Sequence, residues 1–130
     1  MGYGAFLTVT NNRSGAVRLF VTNVSCMYDN GDQGSRLSMF NNALVSPSGS
    51  LPAGGGQYIE VNATGGCFFL VSTFDIKVTD ESNSAIIGTA AFKEADLNWY
   101  LDSNSNEDVI NVMINNSGQQ ARMVVTIAAS

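Results

Sequence analysis

The strict alternation of side-chain character is what most limits the folds open to this chain. In "TFDIKVTD", Phe74, Ile76 and Val78 point one way while Asp75, Lys77 and Thr79 point the other. A period of two belongs to a strand with one buried face. "VRLFVTN" sets Val17, Leu19 and Val21 against Arg18, Phe20 and Thr22, and "ARMVVTIA" lines up Ala121, Met123, Val125 and Ile127. "QYIEV", "CFFLV", "AIIGTAAF" and "DVINVMI" add short apolar or β-branched runs, most of them punctuated by Gly, Asn, Ser or Pro. No window of a dozen residues keeps helical spacing; "FKEADLNWYL" comes nearest, but it is short and lacks a clean cap. The pattern predicts an all-β chain: an antiparallel β-sandwich of about eight or nine strands, or a flattened barrel. Its 130 residues make one domain, spanning 1–130, with length enough for a core without staples.

Two segments look alike. "VTNNRSGAVRLFV" and "MINNSGQQARMVV" each read as a strand, a turn of Asn-Asn-Ser-Gly type, and a strand with a basic residue on its polar face. Asn and Gly tolerate the positive φ of tight hairpins, so both are expected to be hairpins. The stretch "SPSGSLPAGGGQ", residues 46–57, holds both prolines and four of the thirteen glycines and reads as a surface loop. "MYDNGDQGS", residues 27–35, is a second loop of Gly, Asp and Asn.

Charge and composition exclude several classes. Charged residues are only 13% of the chain, against roughly 25% in an average protein. The surface is therefore dressed with Asn, Ser, Thr and Gly. The net charge is −5, and the six basic residues are scattered, which argues against nucleic acid and against steering to anionic lipid. A neutral or zwitterionic surface stays open as a partner. With no histidine, the commonest general base and metal ligand is missing, and no Ser-His-Asp or Cys-His arrangement exists. "GGGQ" is not followed by the Lys-Ser/Thr of a phosphate loop. Asp29/Asp32 and Asp80/Glu81 read as solvated turn residues rather than acid–base pairs. No enzymatic activity and no cofactor are expected.

Cys26 and Cys67 are too few for a structural zinc site and read as two reduced, partly buried thiols, with a single bridge as the alternative. The start "MGYGAFLTVTNN" carries no basic region and no long apolar run, so no signal peptide is visible. The expectation is a cytoplasmic protein, or one released by a non-classical route.

"LNWYLDSNSNED", residues 97–108, holds the only Trp. Asp102, Asn104 and Asn106 imitate the first ligands of a calcium hand, but Glu107 stands where Gly is required and Met113 where the bidentate Glu belongs. No metal is expected there, although Asp102, Glu107 and Asp108 leave a weak site of other geometry as an alternative. Trp99 and Tyr100 are adjacent, so on a strand they face opposite sides, one towards the core and one outward. An aromatic ring beside Asn98, Asp102 and Asn104 suits a sugar or a lipid headgroup, because the ring packs while the polar rim bonds. Trp99, Tyr100, Asn98, Asp102 and Asn104 are the candidate binding residues.

Several segments in series resemble the aegerolysins, small acidic β-sandwich proteins of fungi and bacteria. The lead "MGYGAFLTVTNN", the Asn-ending strand and Gly-Asp loop of "VTNVSCMYDNGDQGSRL", the proline-led turn of "LPAGGGQYIEVNATGG", the segment "STFDIKVTD" and the final "MVVTIAAS" follow the family's order over nearly the whole chain. The family's Cys-Pro-Trp-Gly segment is replaced by "FKEADLNWYLDSNSNED", with one Trp and neither Cys nor Pro. The resemblance implies recognition of sphingolipid-containing or cholesterol-rich membranes, with Trp99 and Tyr100 carried over. It also implies, for some members, a larger perforin-domain partner. A carbohydrate-binding lectin that recognises a glycan through the same residues, and a self-assembling homo-oligomer of structural or storage type, are the alternatives.

Overall fold

The computed structural model describes residues 3–68 and 70–129. Ten strands form: β1 (Gly4–Asn11), β2 (Val17–Ser25), β3 (Ala43–Val45), β4 (Ser50–Leu51), β5 (Gln57–Glu60), β6 (Ser72–Asp80), β7 (Ile86–Ala95), β8 (Asn98–Asn104), β9 (Ile110–Asn115) and β10 (Ala121–Ile127). They build two five-stranded sheets. In one, β4 and β5 both flank β1, which is followed by β10 and β9; the other runs β3-β2-β6-β7-β8. The second sheet is antiparallel throughout. In the first, β1 and β10 run parallel, with Ala5 opposite Ala121 and Asn11 opposite Ile127. The antiparallel sandwich expected from the sequence is the observed architecture apart from this pair. Among the described residues there is no α-helix, only the 3₁₀ turns Asp32–Gly34, Leu37–Phe40 and Gly65–Cys67.

The alternation translates directly into the core. Val17, Leu19, Phe74, Ile76, Val78, Ala121, Met123, Val125 and Ile127 are fully buried between the sheets. Each large member of that set contributes roughly 1.5–3 kcal/mol by leaving water. Aromatic rings close one end of the core: Phe74 stacks on Phe92 at 5.0 Å, and Trp99 meets Phe74 edge-on at 5.6 Å. Edge-on contact sets the positive rim of one ring against the negative face of another.

The two look-alike segments fold differently. "NNSGQQ" joins β9 and β10 as a true hairpin. The first segment is a corner instead: β1 bonds to β10 and β2 bonds to β6, so the chain crosses between sheets. Asn11, wholly buried, holds that corner. Its Nδ2 donates to the carbonyls of Gly15 at 2.9 Å and Val45 at 3.1 Å, and its Oδ1 accepts the Arg13 N–H at 3.0 Å. Within the expected loop 46–57, Ser50–Leu51 pairs with β1 as β4.

Two further expectations are corrected. "CFFLV" is not a strand: Cys67 ends a 3₁₀ turn and Phe68, Leu70 and Val71 lie outside any strand, while Phe69 falls outside the described residues. The cysteines are not free thiols. Cys26 and Cys67 form a disulfide with a Cα–Cα distance of 5.5 Å. The antiparallel bridge between Met27 and Val61, the residue after β5, brings the two segments together.

Candidate functional site

The stretch around Trp99 belongs to the β7–β8 hairpin. Ala95 and Asn98 pair across it, leaving Asp96 and Leu97 as a two-residue turn, both with positive φ, at 52° and 67°. Trp99 points inward and is 1% exposed. Its backbone is held from the other sheet by Asn116, whose Oδ1 accepts the Trp99 N–H at 2.8 Å and whose Nδ2 donates to the Trp99 carbonyl at 3.1 Å. Of the Trp99–Tyr100 pair, Trp99 is therefore the one that faces the core. Tyr100 faces out, 44% exposed, across from Lys93.

The polar residues proposed beside it are already engaged. Lys93 lies 3.6 Å from Asp102. Asn98 Nδ2 donates to the Asp96 carbonyl at 3.2 Å. Asn104 Nδ2 donates to the Ile110 carbonyl at 2.7 Å, and its Oδ1 accepts the Asn106 N–H at 3.0 Å. Asn106 in turn donates to the Ile87 carbonyl at 2.9 Å. The Asn residues that imitate a calcium hand thus serve as loop staples. Among the described residues, no group of three or more His, Cys, Asp and Glu side chains is placed to hold a metal.

A different surface emerges at one end of the sandwich. Ser25 pairs with Thr73, Ser72 with Glu94, and Ala95 with Asn98. The end of β2, the start of β6 and the β7–β8 turn therefore share that end with the disulfide. Three segments project exposed apolar side chains there: Val24 from the end of β2, Phe68, Leu70 and Val71 from the loop after Cys67, and Leu97 from the turn, the last three at 60%, 49% and 68% exposure. None of these segments, 22–26, 62–71 and 94–98, contains a Lys or Arg. Sequence reasoning missed the surface because "CFFLV" has the composition of a buried strand. The signal available was its lack of alternation directly after Gly-Gly-Cys.

Buried polar groups lie beneath this end. Glu94, the last inward residue of β7, is 8% exposed, and its Oε2 accepts the Leu97 N–H at 3.0 Å. Burial and the nearby Asp96 charge push its carboxyl above the usual range, against the opposing pull of that N–H. Tyr3 Oη and Trp99 Nε1 are buried with no hydrogen-bond partner among the described residues. Burial, and then the Glu94 charge, raise the Tyr3 phenol. Tyr58 donates a short hydrogen bond to Glu60, and burial followed by that bond raises its phenol as well.

The described residues form no pocket, and none of their helical segments is long and apolar enough to cross a membrane. In comparisons with known proteins, no family model matches this sequence and no curated protein is similar to it.

Proposed function

We propose that this chain is a non-enzymatic β-sandwich that docks on an uncharged or zwitterionic lipid surface, with sphingolipid-containing membranes as the target class. The observation that carries the reading is the convergence of Val24, Phe68, Leu70, Val71 and Leu97 at one end. Their exposure corresponds to roughly 500 Å² of apolar surface, the size of the largest apolar patch on a typical monomer, which is often functional. These side chains project from a strand end, a strandless loop and a turn tip. A fluid lipid interface receives such separate knobs without matching their shape. The absence of Lys and Arg in the three segments, together with a net charge of −5, favours neutral over anionic lipid.

Leu97 adds support. A left-handed turn position favours Gly or Asn, yet here it carries an exposed leucine. Backbone strain retained at an exposed apolar tip points towards use of the side chain. The aegerolysin resemblance of the sequence favours the same function, with the surface moved from Trp99 to the disulfide end. The disulfide supports a working environment that is oxidising, so release from the cell is the favoured location.

Immersing about half of the apolar area yields roughly 6 kcal/mol before the costs of association. That is a weak foothold for one copy, which suits attachment by several copies or with a larger partner. Sedimentation with vesicles of phosphatidylcholine, of phosphatidylcholine with sphingomyelin and cholesterol, and of phosphatidylserine tests the reading. Binding to the zwitterionic vesicles is expected, with no gain from phosphatidylserine and no competition by free sugars. Failure to sediment with any of them overturns the reading, and inhibition by a free sugar moves it to glycan recognition.

A further inference from the structure

Glu94 lies where the apolar end meets the core. It follows Gly88, Ala90 and Phe92 as the final inward position of β7 and is almost as buried as they are. Ser72 of β6 pairs with it on one side and Trp99 of β8 on the other, and both are neutral. Just ahead of β1, Tyr3 is the titratable group whose phenol feels its charge. From the turn, Asp96 adds a second carboxylate, exposed and two residues away. Asn116, which grips Trp99, is neutral. Among the described residues no ion pair gives Glu94 a cation; Lys93, just before it in sequence, faces outward and lies against Asp102. The carboxylate's identified contact is the N–H of Leu97, the residue at the tip.

We propose that Glu94 makes the docking of this end acid-favoured: the end enters a lipid interface with Glu94 protonated and resists entry with Glu94 ionised. This rests on the lipid-docking reading and adds its regulation. Immersing Leu97, Leu70 and Val71 strips the remaining water from a carboxyl that no cation among the described residues neutralises. Desolvating an ion costs far more than desolvating the neutral acid. Protonation leaves the carbonyl oxygen free to accept the Leu97 N–H, so the turn keeps its shape. Burial and Asp96 already hold the proton affinity of Glu94 above the ordinary carboxylate range, and lipid contact adds to the first of these causes. By linkage, whatever tightens the proton on docking must equally tighten docking on protonation.

The test uses the full chain and vesicles of phosphatidylcholine with sphingomyelin, whose headgroups keep zero net charge from neutral to mildly acidic pH. Partitioning of the wild type is expected to rise about tenfold across that range, the amount that one unit of differential proton affinity supplies. Glu94→Gln should bind at neutral pH as the wild type binds in acid, with a flat profile. Asp96→Asn, on the exposed turn, should keep the acid rise but shift its midpoint to lower pH, since a like charge near Glu94 is gone. It serves as the second probe should Glu94→Gln fail to fold by circular dichroism. A flat wild-type profile with binding intact overturns the inference and leaves lipid docking standing. So does full acid enhancement in Glu94→Gln. Absence of binding by every protein at every pH overturns the docking reading and this inference with it.

Discussion

Replacing Leu97 with glycine should separate stability from docking, moving the two in opposite directions. Leu97 has φ of 67° and its neighbour Asp96 has φ of 52°, so both central positions of the turn lie in the left-handed region. A side chain there costs about 1–2 kcal/mol, whereas glycine pays only roughly 0.5–1 kcal/mol of extra chain entropy. Asp-Gly is a favoured pair for such a turn. The Leu97 N–H bond to Glu94 at 3.0 Å involves backbone and survives the change. The net effect is a gain of about 0.5 kcal/mol, or a rise of about 2 °C in Tm for a domain of this size. The same change deletes a leucine that is 68% exposed, presenting roughly 120 Å². Half-immersion of that area is worth about 1.5 kcal/mol, so partitioning onto vesicles should weaken about tenfold. Thermal unfolding by circular dichroism and vesicle sedimentation read the two effects on one preparation. A variant that loses more than about 1 kcal/mol of stability would refute the strain argument. One that is stabilised yet binds as the wild type does would refute the role of the tip.

Reducing the Cys26–Cys67 bridge, or replacing both residues with serine, should cost about 4 kcal/mol, because the link closes a segment of 41 residues of sequence separation; urea denaturation with and without reductant measures it. Trp99→Ala should lose about 3–5 kcal/mol, since the indole is 1% exposed and packed on Phe74. The emission of wild-type Trp99 should accordingly be that of a buried indole already in buffer and move little on adding vesicles. Glu94→Gln should be more stable than the wild type at neutral pH. The raised carboxyl of Glu94 means that the folded state binds its proton more tightly than the unfolded chain. Its contribution is therefore fully present below the unfolded pKa and lost as pH rises through the folded one. The advantage of the variant should shrink as pH falls through that window, as thermal melts at several pH values would show.

The period of two carried the sandwich because Phe74, Ile76 and Val78 face a core that fills from both sheets, and nothing local competes with the pattern. It failed at β8, where Trp99 is the only fully buried residue in an edge strand and a register shift between Ala91 and Phe92 breaks the alternation. The choice between Trp99 and Tyr100 was open in the sequence because a strand fixes opposition, not direction. Direction comes from pairing with β7, where Glu94 opposite Trp99 faces in and Lys93 opposite Tyr100 faces out. The apolar end was hidden for a related reason. Phe68, Leu70 and Val71 have the composition of a core strand, yet they follow a 3₁₀ turn whose Cys67 is tied to Cys26, and they lie outside any strand. The pairing itself depends on Met27 meeting Val61, a contact that no spacing of cysteines announces.

The most direct measurement places a reporter Trp at each end of the molecule in a Trp99→Phe background. Leu97→Trp puts the indole at the disulfide end, and Ile86→Trp puts it at the start of β7, the opposite end, at a position 66% exposed. On zwitterionic vesicles containing sphingomyelin, the emission of Leu97→Trp should shift to the blue and be quenched by brominated lipid, while Ile86→Trp stays as it is in buffer. A shift at Ile86→Trp, or an unchanged Leu97→Trp on protein that sediments with the vesicles, would contradict docking through this end.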